Sequence, residues 1–170
     1  MEFTSISPED TQELGKKIGK TLISGDTVLL FGNLGMGKTS FVQGISKGLE
    51  VDSNYYVNSP TFTIINQYPA KCPIYHIDLY RIESFEEMDN LGLEEIIYGE
   101  GITIIEWADK LHIDSSDPDS LYYPMDSRLE VSIEAKKKNE RLFKLNALNM
   151  KHIDEPLFSL QKRYHMASSK

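Results

Sequence analysis

Gly32-Asn33-Leu34-Gly35-Met36-Gly37-Lys38-Thr39 fits G-x-x-x-x-G-K-[ST] at every fixed position, and it follows the apolar run Val28-Leu29-Leu30-Phe31. Residues of these types, so spaced, bind phosphate. Glycines let the backbone curl until successive N–H groups point inward at anionic oxygens. A helix that starts at the end of the loop adds its free N–H groups and its dipole. In this pattern the Lys38 ammonium reaches β- and γ-phosphates, and the Thr39 hydroxyl is a ligand for Mg²⁺.

Such a loop needs a carboxylate at the end of a neighbouring strand to organise the metal and the attacking water. Two segments offer one: Ile74-Tyr75-His76-Ile77-Asp78 and Ile102-Thr103-Ile104-Ile105-Glu106 each end an apolar run on an acid. A parallel sheet presents such residues at its carboxyl edge, and spacing does not rank Asp78 against Glu106. Trp107 either shields the site or serves as core. His76 reads as a hydrogen-bonded structural histidine rather than a base. Ser59-Pro60-Thr61-Phe62-Thr63 stands between the loop helix and the next strand, where a hydroxyl from Ser59 or Thr61 can sense the γ-phosphate, or where a plain Ser-Pro turn can start a strand. Arg81 is either a phosphate or partner contact or a solvated cation. No Asn-Lys-x-Asp string specifies guanine.

The elements that must position these groups follow from pattern and punctuation. Ser7-Pro8-Glu9-Asp10 gives an N-cap, a proline at N1 and first-turn acids, so a helix is expected from about Pro8 to Leu22. Gly25-Asp26 turns the chain into a strand over Thr27 to Phe31, and the helix after the loop carries Phe41, Val42, Ile45 and Leu49. Strands are expected over Thr61 to Tyr68, Ile74 to Asp78 and Ile102 to Ile105. A capping box at Ser84-Phe85-Glu86-Glu87 starts another helix. After the polar stretch Asp114 to Pro124, Leu129 to Glu134 and Leu142 to Leu148 alternate around Lys136-Lys137-Lys138-Asn139 as a β-hairpin. Asp154-Glu155-Pro156 starts a short helix in the tail.

At 170 residues the chain suits one well-buried domain, here residues 1–150, followed by a tail over 151–170. A net charge of −8 argues against a protein that grips nucleic acid on its own. The single cysteine, Cys72, makes no internal disulfide and reads as an incidental thiol. The polar opening and the lack of a membrane-length apolar run point to the cytoplasm and away from membranes.

Gly32 to Ser40, Ser59 to Thr63, His76-Ile77-Asp78-Leu79-Tyr80-Arg81 and Ile105-Glu106-Trp107-Ala108, in this order, resemble the TsaE family over about residues 4 to 148. The resemblance implies an α/β domain of the P-loop NTPase type: three layers around a mainly parallel central sheet, with the C-terminal β-hairpin added. It also implies a small bacterial ATPase required for threonylcarbamoyladenosine at position 37 of tRNAs that read codons beginning with A. That ATPase uses ATP and Mg²⁺, acts with the TsaB and TsaD proteins, and reaches tRNA indirectly through their complex. Carried onto this chain, Asn33, Leu34, Gly35, Met36, Gly37, Lys38, Thr39 and Ser40 wrap the phosphates. Thr39 and Glu106 match the magnesium positions, while Asp78, Glu106 and Lys38 match the catalytic ones. Thr61 belongs to a switch-like segment. Thr11 resembles a nucleotide-side element, and Arg141 lies near a position where the family often has Gly-Arg, although Asn139-Glu140 intervenes here. Two further readings stay open: a small-molecule kinase, for which four arginines supply no evident lid, and an interaction module that hydrolysis merely resets.

Overall fold

The computed structural model describes residues 1–114, 116, 117, 119–153 and 156, and the short tail helix expected from Asp154 lies outside the described residues. Among the described residues seven strands and four α-helices follow one another: β1 (Glu2–Ser5), α1 (Pro8–Gly19), β2 (Thr27–Phe31), α2 (Lys38–Gly48), β3 (Ile65–Tyr68), β4 (Ile74–Asp78), α3 (Phe85–Asn90), α4 (Leu93–Ile97), β5 (Ile102–Glu106), β6 (Arg128–Lys137) and β7 (Glu140–Leu148). All seven strands join one sheet in the order β1-β7-β6-β2-β5-β4-β3. Its centre, β6-β2-β5-β4, is parallel; β3, β7 and β1 add antiparallel edges.

The central strands are apolar throughout because both sheet faces are covered. Side chains alternate across the sheet, so Val28 and Leu30 join one core cluster with Leu14, Ile18, Phe41, Val42 and Ile45 from α1 and α2. Leu29 and Ile105 join the other, with Met88, Leu93 and Ile97 from α3 and α4. Helices therefore lie on both faces of the sheet. Helices α1 and α2 touch backbone to backbone. A Cβ on Gly15, Gly19, Gly44 or Gly48 would lie 2.3, 2.3, 2.2 or 2.3 Å from the carbonyl oxygen of Phe41, Ile45, Gln12 or Lys16. Only glycine permits that approach, and it brings the first turn of α1 against the loop that precedes α2.

Several boundaries differ from expectation. Helix α1 stops at Gly19 rather than Leu22, and Thr21 turns back to donate its hydroxyl to the Ile18 carbonyl. The strand expected from Thr61 begins only at Ile65. Ser59 and Thr61 bond instead to Asp78, Ile64 takes a left-handed backbone at φ 65°, and its N–H donates to the Pro60 carbonyl. Strong local hydroxyl–carboxylate bonds thus win over β-propensity. Strand β1 and helix α4 carry no sequence signal of their own. Four residues are too few for periodicity, and Gly92 at φ 67° breaks the helical pattern between α3 and α4. Strands β6 and β7 pair from Arg128↔Leu148 to Lys137↔Glu140, longer than their apolar alternation suggests.

Candidate functional site

Parallel pairing sets Leu30 of β2 opposite Glu106 of β5, and Glu106 opposite Asp78 of β4, so three strands deliver their ends to one edge of the sheet. From that edge β2 runs into the glycine loop. Gly32 sits at φ 140°, with its α-carbon hydrogens so near β6 that a Cβ would lie 2.6 Å from the Ile133 carbonyl oxygen. Gly35 and Gly37 are also left-handed, at φ 76° and 101°. Gly37 is the N-cap of α2 and supplies no side-chain cap, so the first N–H groups of this 11-residue helix face the loop.

The Lys38 side chain folds back over that loop. Its Nζ donates to the Gly32 and Asn33 carbonyls at 2.5 and 3.1 Å and lies 3.8 Å from the centre of the Trp107 ring. Burial pulls the ammonium below the ordinary lysine pKa, an effect partly offset by the carboxylates of Glu106, Asp78 and Asp109. Trp107 reaches this place through a left-handed backbone, φ 61°, and its ring packs against Tyr80 at 4.8 Å.

The Thr39 hydroxyl donates to Glu106, 2.9 Å to Oε1 and 3.2 Å to Oε2. The same Oε1 lies 2.9 Å from Nε2 of the fully buried His76. Asp78 is engaged on both oxygens. Its Oδ2 accepts from Ser59 Oγ and, at 2.9 Å, from Thr61 Oγ1; its Oδ1 accepts from the Tyr80 N–H at 2.9 Å. Asp78 therefore holds the 59–63 segment against the sheet edge.

The glycine loop divides two clefts. One, of about 410 Å³, is lined by Lys38, Thr39, Thr61, Asp78, Glu106 and Trp107, with Leu34 at its rim. The other, of about 500 Å³, is lined by Ser7, Thr11, Lys138, Asn139 and Arg141, together with Ile6. Gly35, Met36, Gly37 and Ser40 face both. Register explains how Arg141 arrives despite the intervening residues: β7 pairs with β1, and Arg141 stands opposite Ser5. Ser5 Oγ lies 2.8 Å from Thr11 Oγ1, which ties that wall to α1. Of the residues singled out from sequence, Asn33 lines neither cleft and contributes its carbonyl to Lys38, while the Leu34 side chain is 72% exposed. Sequence reasoning missed the His76–Glu106 contact and the place of Tyr80, because alternation gives a face but not the partner across it.

The donor set suits a small hard cation. Thr39 and Glu106 bring two or three oxygens together, and no cluster of three or more His, Cys, Asp or Glu exists among the described residues to complete a cage. Mg²⁺ takes this kind of site, with one or two protein oxygens and the remainder from phosphate and water.

The model of the family described as threonylcarbamoyl adenosine biosynthesis protein TsaE matches residues 5–143. A protein of Treponema pallidum named tRNA threonylcarbamoyladenosine biosynthesis protein TsaE is 38% identical over 111 residues, 65% of this chain and 81% of that one. The protein of the same name from Rickettsia felis is 36% identical over 159 residues, 89% of this chain and 86% of that one. A crystal structure of YdiB from Bacillus subtilis superposes with a TM-score of 0.70 at 25% identity, covering 96% of this chain and 95% of the other. The residues that meet at the sheet edge lie within the matched region, and the chain belongs to the TsaE family.

Proposed function

We propose that this protein is a P-loop ATPase required for the threonylcarbamoyl group on adenosine 37 of tRNAs reading codons that begin with A, and that it acts with TsaB and TsaD in the cytoplasm. The observation that carries the reading is the Thr39–Glu106 pair, set beside the Lys38 ammonium in one cleft at the mouth of a glycine loop. On binding ATP, Lys38 exchanges the Gly32 and Asn33 carbonyls for β- and γ-phosphate oxygens. The N–H groups at the start of α2 face the same oxygens. Thr39 and Glu106 hold Mg²⁺, which when bound neutralises phosphate charge. Glu106 keeps an acceptor oxygen near the γ-phosphate end to orient water, while Asp78 keeps Thr61 and Ser59 at the cleft wall. Thr11 and Arg141 border the cleft that takes the nucleoside. Among the described residues no helix is long and apolar enough to cross a membrane.

A second reading, a nucleotide-dependent interaction module, is favoured by one observation. Phe62 is 86% exposed on the segment that Asp78 holds, where a change at the γ-phosphate alters what a partner meets. The two readings separate on blocking hydrolysis. ATP turnover is measured with and without TsaB, TsaD and tRNA, and modified adenosine is quantified by mass spectrometry. Stimulated turnover, reduced at least about tenfold by Glu106→Ala, is expected. An undiminished Glu106→Ala protein overturns the ATPase reading; a first round of modification that stays intact with a non-hydrolysable analogue, with later rounds lost, favours the module.

A further inference from the structure

His76 is an unusual side chain to find under a catalytic carboxylate. It lies on β4 two residues before Asp78, hence on the same face of the sheet, opposite Ile104 and fully buried. Its Nε2 is 2.9 Å from Glu106 Oε1, whereas its Nδ1 is buried with no hydrogen-bond partner among the described residues. Two independent facts select one tautomer. A lone pair on Nε2 would face a carboxylate oxygen at 2.9 Å, and a proton on Nδ1 would be a buried donor without an acceptor. The Nε2 nitrogen therefore carries a proton and donates it to Glu106.

That bond has a directional consequence. Oε1 receives His76 from beneath and the Thr39 hydroxyl from the cleft, at 2.9 Å each. The carboxylate cannot swing away from Thr39 without leaving an imidazole N–H unpaired in the core. We infer that His76 is the positioning residue of the magnesium site: it holds the Glu106 carboxylate in register with the Thr39 hydroxyl, and so sets how tightly magnesium is held with the nucleotide. This rests on the P-loop ATPase reading above. Partners of this kind behind a ligating carboxylate change metal affinity by about 10–100-fold when removed.

The test compares the intact protein with His76→Leu, which fills the space without a donor, and His76→Gln, whose amide nitrogen is the same number of bonds from Cβ as Nε2. Binding of a fluorescent ATP analogue is titrated in EDTA and across a magnesium series, with hydrolysis measured in parallel. His76→Leu should leave affinity in EDTA within about twofold of the parent while raising the half-saturating magnesium concentration about tenfold. His76→Gln should recover most of that loss. Long-range ¹H–¹⁵N spectra of the unsubstituted protein supply a readout that needs no variant, and a proton on Nε2 is expected. An Nδ1–H pattern overturns the inference, as does parental magnesium dependence in His76→Leu or a folded His76→Gln no better than His76→Leu. If the unsubstituted protein binds the analogue identically with and without magnesium, the ATPase reading itself fails, a result distinct from any behaviour of the variants.

Discussion

Lys38 makes its contacts inside its own loop, two carbonyls and the Trp107 ring, and under the proposed function those are the contacts a triphosphate would displace. Trp107 is the only tryptophan in the chain, so its fluorescence reports the exchange directly. ATP should change the emission of the unsubstituted protein, and Lys38→Ala should abolish most of that response and weaken binding by at least about tenfold, a loss of about 1.4 kcal/mol. An unaltered response in Lys38→Ala would separate the lysine from the nucleotide. That Lys38, Thr39, Glu106 and Asp78 line one cleft was legible in the sequence because the loop motif and the strand-end acids are local patterns. Their division of labour was not. Asp78 and Glu106 look alike in sequence, yet one spends both oxygens on Ser59, Thr61 and Tyr80 while the other faces Thr39 and His76.

Helices α1 and α2 meet across four glycines, and that contact carries the wall of one cleft. Gly44→Ala places a methyl against the Gln12 carbonyl; overpacking of this kind costs about 1–3 kcal/mol. The loss should appear in urea unfolding, accompanied by weaker nucleotide binding as Thr11 moves away from Gly37. On the opposite face, α3 is joined to the segment before β6 by Asp89, which accepts from the hydroxyls of Tyr122 and Tyr123 at 2.7 and 2.9 Å. Burial first, and then the Asp89 hydrogen bond, raise the Tyr123 pKa in the folded state. The unfolded chain therefore releases that proton first, near the ordinary tyrosine pKa of about 10. Stability from this contact is fully present below that value and falls as pH rises above it. Thermal melts should show an alkaline decline that is shallower in Tyr123→Phe, whose stability at neutral pH drops by about 0.5–1.5 kcal/mol. Helix starts were readable from Ser7-Pro8 and Ser84, since capping is local, whereas α4 and β1 were not, because they exist only by packing on neighbours.

Across the molecule, the two ends of the described chain close the same core. Phe3 of β1, Phe143 of β7, Met150 and Ile153 all belong to the cluster under α1 and α2, and His152 Nε2 lies 2.9 Å from Asp26 Oδ2 in the turn before β2. Ile153→Ala should cost about 2–5 kcal/mol in chemical unfolding. A loss below about 0.5 kcal/mol would show that residues after β7 do not support the domain. The same tertiary closure sets Arg141 opposite Ser5 and so finishes the cleft beside Thr11 from residues far apart in sequence.

The loop at Gly32 to Thr39, the two acids and the segment Ser59 to Thr63 are short-range patterns of residue type, and they were sufficient to name the family. Distances across strands obey no such pattern. Register in the parallel sheet put Glu106 between Thr39 and His76, turned Asp78 toward Ser59 and Thr61, and brought Arg141 beside Thr11. Those pairings come from buried strands and glycine-tight helices whose long-range contacts leave no mark in any local stretch of the chain.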